Sequence, residues 1–264
     1  MANVFITGVS SGIGKATAEL LLNNGHRVVG GSRRETKFDH ADGLWVRLDV
    51  TDSDSVRHAT KAAIQTLGHV DVVINNAGFT HNAFIEETAL TDAKAVFETN
   101  FWGVARINNE LLTHFRSRKT GQIIIVGSLA GLMGVIGQGY YSASKHAIEG
   151  YAESLASEVN PFGIAVNVIE PGFHRTNIHH SMKTGGQAIQ AYDNIRHAVE
   201  SATSQAVEEG DDPIRVAQAI ERIVRAKSFA VHCPVGTDAK WVPRIKRLIP
   251  NSLFLAMMRK RFGA

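Results

Sequence analysis

Asn3-Val4-Phe5-Ile6-Thr7-Gly8-Val9-Ser10-Ser11-Gly12-Ile13-Gly14 is the stretch that decides how the rest of the chain is read. Asn3–Thr7 reads as a short strand, an amphipathic segment follows over about Gly12–Asn24, and a second apolar run occupies Arg27–Gly31. Together they make one complete strand–helix–strand unit. Three glycines sit where the first strand hands over to the helix. Lacking a Cβ, they let the chain turn tightly and let a ligand approach the backbone. A helix starting there presents unpaired N–H groups and a partial positive charge, which suits a pyrophosphate. Glycine spacing alone is a common turn signal; its place between strand and helix gives it weight. Gly8, Ser10, Ser11, Gly12, Ile13 and Gly14 are the candidate phosphate-binding residues.

The alternation continues outward from this unit. Further strands are expected at Leu44–Leu48, Asp71–Asn75, Gly121–Gly127, Ile164–Ile169 and Phe229–His232. Helices are expected at Ser53–Leu67, Thr91–Arg118, Gly139–Asn160 and Pro213–Ala226, with start signals at Asp52-Ser53, Thr91-Asp92 and Pro213. The strands read as apolar runs rather than clean alternations, as parallel strands covered on both faces do. This predicts an α/β fold of the doubly wound, Rossmann type: a parallel seven-stranded sheet with helices on both faces. One domain spans residues 1–264. Within it, residues 173–212 are too long for a structureless connection and read as a substrate lid with some helix of its own.

Composition narrows the function classes. The chain has 264 residues, 44% apolar and 20% charged, which fits an ordered globular protein. Cys233 is the only cysteine, so no internal disulfide is available and a reducing, cytoplasmic setting is expected. No apolar run approaches the roughly 18 residues needed to cross a bilayer, and a strand at Val4-Phe5-Ile6 leaves no room for a signal peptide. The formal charge is +3, yet residues 240–264 hold seven Lys and Arg and no acid, which leaves −4 for the rest. The basic character therefore belongs to a C-terminal extension, residues 237–264. There Trp241, Val242, Ile245, Leu248, Leu253, Phe254 and Met257 interleave with the cations. Packing over a substrate pocket or a neighbouring subunit is the default for such a tail, and peripheral contact with an anionic membrane is the less favoured alternative. No recognisable nucleic-acid-binding fold accompanies it, so nucleic acid is not expected as a partner.

The end of the second strand reads the cofactor. An acid about 20 residues past the glycines would bond the adenosine 2′-hydroxyl and select NAD. Here the sequence is Gly30-Gly31-Ser32-Arg33-Arg34, and the first acid is Glu35. Arginines offer charge-assisted hydrogen bonds to a 2′-phosphate, worth about 1.5–3 kcal/mol each. Ser32, Arg33 and Arg34 thus point to NADP(H).

Farther on, Tyr141-Ser142-Ala143-Ser144-Lys145 puts Tyr141 and Lys145 four apart, on one face of a helix. An ammonium about 5 Å from a phenol, at an effective dielectric near 20, favours the phenolate by roughly 3 kcal/mol. Such a shift is expected to bring Tyr141 from its usual value near 10 toward working range. Ser128 follows the apolar strand ending at Gly127, at the sheet edge where α/β folds place chemistry.

At this point the chain resembles the short-chain dehydrogenase/reductase family over essentially its whole length. The resemblance rests on Thr7–Gly14, Asp49-Val50, Asn75-Asn76-Ala77-Gly78, Asn100, Ser128, Tyr141–Lys145 and Pro171-Gly172 followed by Thr176, all in the family's order. It implies that Tyr141 is the general acid or base and that Ser128 hydrogen-bonds the carbonyl oxygen. It further implies that Lys145 holds the nicotinamide ribose, that Asn100 supports a proton relay, and that Asp49 and Val50 meet the adenine. Asn76, Ala77 and Gly78 would line the adenosine ribose, and Pro171, Gly172 and Thr176 the carboxamide side. The substrate would be a small-molecule alcohol or carbonyl, and the assembly a homodimer or homotetramer joined through the Thr91–Arg118 and Gly139–Asn160 helices. Val168–Thr176, with Glu170 before Pro171, is closest in flavour to 17β-hydroxysteroid and retinol dehydrogenases. A rival reading is a dinucleotide-binding sensor without turnover, against which the presence of Asn100, Ser128, Tyr141 and Lys145 argues. His174, His179 and His180 cluster in the lid but lack metal-site spacing, so no metal is expected.

Overall fold

The structure, a computed structural model, describes residues 1–174, 188–227 and 230–262. Seven parallel strands form one sheet: β1 (Asn3–Thr7), β2 (Arg27–Ser32), β3 (Gly43–Arg47), β4 (Val72–Asn75), β5 (Gly121–Val126), β6 (Ile164–Pro171) and β7 (His232–Val235). Their spatial order is β3-β2-β1-β4-β5-β6-β7, so the winding direction reverses between β1 and β4. That reversal opens a crevice at the carboxyl ends of these strands, where such sheets bind ligands.

Helices cover both faces, as the apolar runs require. On one side α1 (Gly12–Asn23) and α7 (Pro213–Ala226) bury Ala18, Leu21, Leu22, Val216, Ile220 and Val224 against Val4, Ile6, Val28 and Ile124. On the other, α2 (Ser53–Leu67), α4 (Gly103–Arg118) and α5 (Gly139–Val159) bury Val56, Ile107, Leu111, Phe115 and Ile148 against Phe5, Val29, Val73 and Ile123. Caps set several boundaries. Asp52 accepts from the Asp54 and Ser55 N–H groups at 2.8 and 3.3 Å, and Asp212 accepts from Ile214 at 2.8 Å ahead of Pro213.

Two expected elements differ. The single helix Thr91–Arg118 is three pieces: α3 (Leu90–Phe97), a π-helical turn at Glu98–Trp102, and α4. The last strand lies at His232–Val235; of the expected span Phe229–His232, Phe229 lies outside the described residues. As an edge strand β7 tolerates Pro234, whose missing N–H leaves no ladder bond unmade on its open side. Within the expected lid, α6 (Asp193–Glu208) is followed by a return to the sheet, where His174 bridges Asp211. Two helices that periodicity did not reveal, α8 (Thr237–Leu248) and α9 (Asn251–Arg261), end the described chain. No helix among the described residues is long and apolar enough to cross a membrane.

Candidate active site

One cleft of about 840 Å³ runs along the carboxyl ends of the strands. At one end lie Gly8, Ser10, Ser11, Gly12 and Ile13; in the middle Asn76, Ala77 and Gly78; at the other end Ser128, Tyr141, Lys145, Pro171 and Gly172. Residues more than a hundred positions apart in the chain thus meet in one continuous space.

The glycine turn is built by close approach. Gly8 and Gly12 have φ of +77° and +58°, and a Cβ on Gly14 would come within 2.3 Å of the Gly8 carbonyl oxygen and the Asn76 amide. Asn76 acts as a strut, donating from Nδ2 to the carbonyls of Thr7 and Gly8 at 3.0 and 3.1 Å. The Thr7 hydroxyl accepts from the Asn76 and Ala77 N–H groups at 3.0 and 2.9 Å, so the ends of β1 and β4 are locked together. Ser11 precedes α1 in an extended conformation without bonding its N–H groups through the side chain. The first turn therefore keeps its donors for whatever enters the cleft. A Cβ on Gly12 would point into open space. These features fit a pyrophosphate.

Arg33 and Arg34 are exposed and line the same cleft, whereas Glu35 does not. Arg34 donates to the Ser10 hydroxyl at 3.3 Å, joining the second-strand loop to the glycine turn. Ser32 is buried and committed to that loop: it donates to the Arg34 carbonyl at 2.6 Å and accepts from the Trp45 indole at 2.9 Å. Asp49 takes the Thr51 N–H and hydroxyl at 3.0 and 2.8 Å. Burial alone would raise its carboxyl, but the Thr51 bonds and the nearby Arg33 leave it below its ordinary value. Val50 lines the cleft beside it.

At the chemical end, Tyr141 is buried on the first turn of α5, with the hydroxyls of Ser128 and Thr80 near enough to its phenol to ease its ionisation. Ser128 also accepts from the Ala130 N–H at 3.1 Å, which fixes its rotamer. The Lys145 Nζ is 5.8 Å from the centroid of the Tyr141 ring and donates to the Val126 carbonyl at 2.7 Å. The expected lowering of Tyr141 does not occur in this cleft. Burial pushes the phenol up, outweighing the pull of the nearby Ser128 and Thr80 hydroxyls, while burial also brings Lys145 down to about 8. The coulombic argument from spacing omitted desolvation, which penalises both charged forms.

Asn100 sits at the centre of the π turn and is buried. Its Oδ1 accepts from the Phe79 N–H and its Nδ2 donates to the Phe79 carbonyl, both at 3.0 Å, with Ser144 Oγ at 3.3 Å. The extra residue of a π turn re-aims this side chain, a distortion common at functional sites. Asn100 thereby holds the loop that carries Gly78, Phe79 and Thr80 against α5.

Several contributors escaped the sequence reading. Thr80 is one. Asp238, at the start of α8, is another: it accepts from Phe173 N–H at 2.8 Å and packs directly on Gly172. The cavity wall formed by Thr203 and Val207 of α6 is a third. A fourth is a buried carboxyl pair, Glu149 on α5 and Glu170 on β6, one helical turn from Lys145. Burial pushes both up; the neighbouring Glu170 charge adds to the rise of Glu149, to about 8, whereas His232 and Glu149 draw Glu170 back down in part. His232 faces the pair, with Nδ1 2.8 Å from Glu170 and Nε2 3.0 Å from Glu153. Burial would lower His232, but these carboxylates raise it. Of the residues expected at the site, Thr176 lies outside the described residues, as do His179 and His180; His174 is spent on the Gly172 carbonyl at 2.9 Å.

A glycine-turn cleft opening onto a buried Tyr–Lys pair with Ser128 beside it defines an oxidoreductase. The chain belongs to the short-chain dehydrogenase family: residues 2–187 match the model of that family, described as short chain dehydrogenase. It is 37% identical over 235 residues to a 3-ketodihydrosphingosine reductase of Bacteroides thetaiotaomicron, covering 88% of this chain and 87% of that protein. It is 35% identical over 179 residues to the 3-oxoacyl-[acyl-carrier-protein] reductase FabG of Vibrio cholerae, covering 66% of this chain and 73% of that protein. Among solved structures, a short-chain dehydrogenase from Streptomyces avermitilis superposes with a TM-score of 0.83 at 32% identity, over 98% of this chain and 95% of that one.

Proposed function

We propose that this oxidoreductase is NADP(H)-dependent and interconverts a ketone or aldehyde with its alcohol, with Tyr141 as the general acid and base. The observation that carries the reading is the single cleft that joins Arg33 and Arg34 at one end to Tyr141 at the other. When bound, the dinucleotide supplies or accepts a hydride; the remaining tasks fall to this chain. The uncapped first turn of α1 would hold the pyrophosphate, and Arg33 and Arg34 the 2′-phosphate. Ser128 donates a hydrogen bond to the substrate oxygen and fixes its position beside the phenol. Tyr141, kept protonated by burial, gives its proton to that oxygen during reduction. The phenolate left behind would be stabilised by the nearby Ser128 and Thr80 hydroxyls and by the Lys145 ammonium, 5.8 Å from the ring; Lys145 would also hold the cofactor ribose. A resting acid suits reduction.

The substrate end is apolar. Leu129, Met133 and Val135 line the cleft beside Tyr141 and pack with Val199, Phe254 and Phe262. Two relatives are named for reduction of a 3-keto or 3-oxo compound. Both features favour a carbonyl carried on an apolar chain. Oligomerisation through α4 and α5 belongs to the same proposal; the half-exposed Trp102 beside α4 supports it. The test is a panel of 3-oxo compounds of increasing chain length, run with NADPH and with NADH. The reading expects turnover that improves with chain length and favours NADPH. Faster reaction with NADH, or turnover confined to short polar carbonyls, would overturn it.

A further inference from the structure

The tail has two faces of opposite character. On α8 the inward positions are Ala239, Val242, Pro243 and Lys246, followed by Ile249 just past the helix end; Ala239 is buried, and Lys246 donates to the Leu132 carbonyl at 2.8 Å. Trp241, Arg244, Ile245 and Leu248, at helical spacing, form the opposite face and are exposed, Leu248 by 84%. Arg244 lies over the Trp241 ring at 5.2 Å. On α9, Phe254, Met258 and Phe262 turn in toward Leu129, Met133 and Tyr141, while Leu253, Leu255 and Met257 are about half exposed. Six cations, Lys240, Arg244, Arg247, Arg259, Lys260 and Arg261, are exposed on the same two helices, with no acid among residues 240–264.

We propose that the outer face of α8 and α9 docks the enzyme on an anionic membrane surface. Large apolar side chains bordered by arginine and lysine are what the boundary between headgroups and acyl chains accommodates. Charge decides the occupant. A second copy would bring the same cations to the contact and repel, whereas anionic lipid attracts each of them. Neither helix is long enough to span a bilayer, so the tail lies on the surface. Its inward face roofs the apolar end of the cleft, and Asp238 at its start pins Phe173 and Gly172. Docking therefore places the cleft against the lipid. This last consequence rests on the reading of the cleft as a reductase site for an apolar-chain carbonyl; the docking itself does not.

The test is co-sedimentation of the full chain with phosphatidylglycerol-rich vesicles and with pure phosphatidylcholine vesicles, without substrate. The proposal expects binding to the anionic vesicles at low salt, release at high salt, and little binding to phosphatidylcholine. Neutralising Arg259, Lys260 and Arg261 to Gln should weaken binding about a hundredfold, since each cation near an anionic surface contributes roughly a factor of five. Trp241→Ser with Leu248→Ser should weaken it as well. Both variants should keep wild-type turnover of a water-soluble carbonyl, which shows that they fold and separates this proposal from the catalytic one. Wild-type protein that stays in the supernatant with anionic vesicles would overturn the proposal. So would Trp241→Ser with Leu248→Ser dissociating an oligomer while vesicle binding is unchanged, because the face would then be a subunit contact.

Discussion

The glycine turn and the C-terminal tail do opposite things with the same backbone. Around Gly8–Gly14 the atoms are so close that a side chain at Gly14 has no space, and Asn76 and Thr7 tie two strand ends together. In α8 and α9 half of the large side chains face outward and the helices touch the body through a few residues such as Lys246, Phe254 and Phe262. The first region is specified by contact with itself and has one arrangement. The second is specified by its inward face alone, which leaves its outward face free for another task. Tight geometry marks where a cofactor is held, and surplus apolar surface marks where something else is met.

The sharpest break would come at Gly14. Gly14→Ala places a methyl within 2.3 Å of the Gly8 carbonyl oxygen and Asn76, so the turn must spread. Overpacking of this kind costs about 1–3 kcal/mol, and dinucleotide affinity should fall with it. Thermal unfolding and NADPH titration by fluorescence read both losses. An Ala residue carried there without either loss would show that the close approach is not what shapes the turn.

The next effect is smaller and selective. Replacing Arg33 and Arg34 by Ala should weaken NADPH by about ten- to a hundredfold, from the loss of charge-assisted bonds, and leave NADH nearly unchanged. Ratios of kcat/KM for the two cofactors measure it. Equal losses for both would reassign the pair to loop structure, where the Arg34–Ser10 bond already places one of them.

The smallest effect concerns pH. Glu149 and Glu170 are both raised by burial, Glu149 further by the Glu170 charge, and His232 is raised by the same carboxylates. Groups raised on folding stabilise the native state below their unfolded values, and that stability is lost as pH climbs through the folded ones. Melting temperature should therefore decline from mildly acidic to mildly alkaline pH, and Glu149→Gln should flatten the decline. Because Glu149 supports the charge on Lys145, which burial holds at about 8, the alkaline limb of the turnover profile should also move to lower pH in this variant. An unchanged profile would confine Glu149 to packing.

What the sequence revealed follows the range of the interactions. The strand–helix alternation and the glycine turn depend on local apolar runs and on residues within a few positions of each other, and these are legible in Asn3–Gly14 and Tyr141–Lys145; the order of the strands joins distant segments and is not. Asn100 is legible as a motif but not as a π turn, because that distortion arises from its clasp on Phe79, 21 residues away. The Glu149–Glu170–His232 cluster joins α5, β6 and β7 and leaves no local pattern at all. Helices α8 and α9 were hidden by Pro243 inside one and by cations interrupting the apolar period of the other. The direction of the Tyr141 shift is not legible in the sequence, because spacing reports charge but not burial.

The central claim is that Tyr141 supplies the proton at a site whose cofactor is held by other residues. Tyr141→Phe removes one hydroxyl and keeps the ring, so it isolates that claim. Measured together, turnover of a 3-oxo substrate should fall by about 10²–10⁴-fold while NADPH binding stays within a few-fold of wild type. Turnover that survives the substitution would contradict the assignment of the acid, and with it the account of how this cleft works.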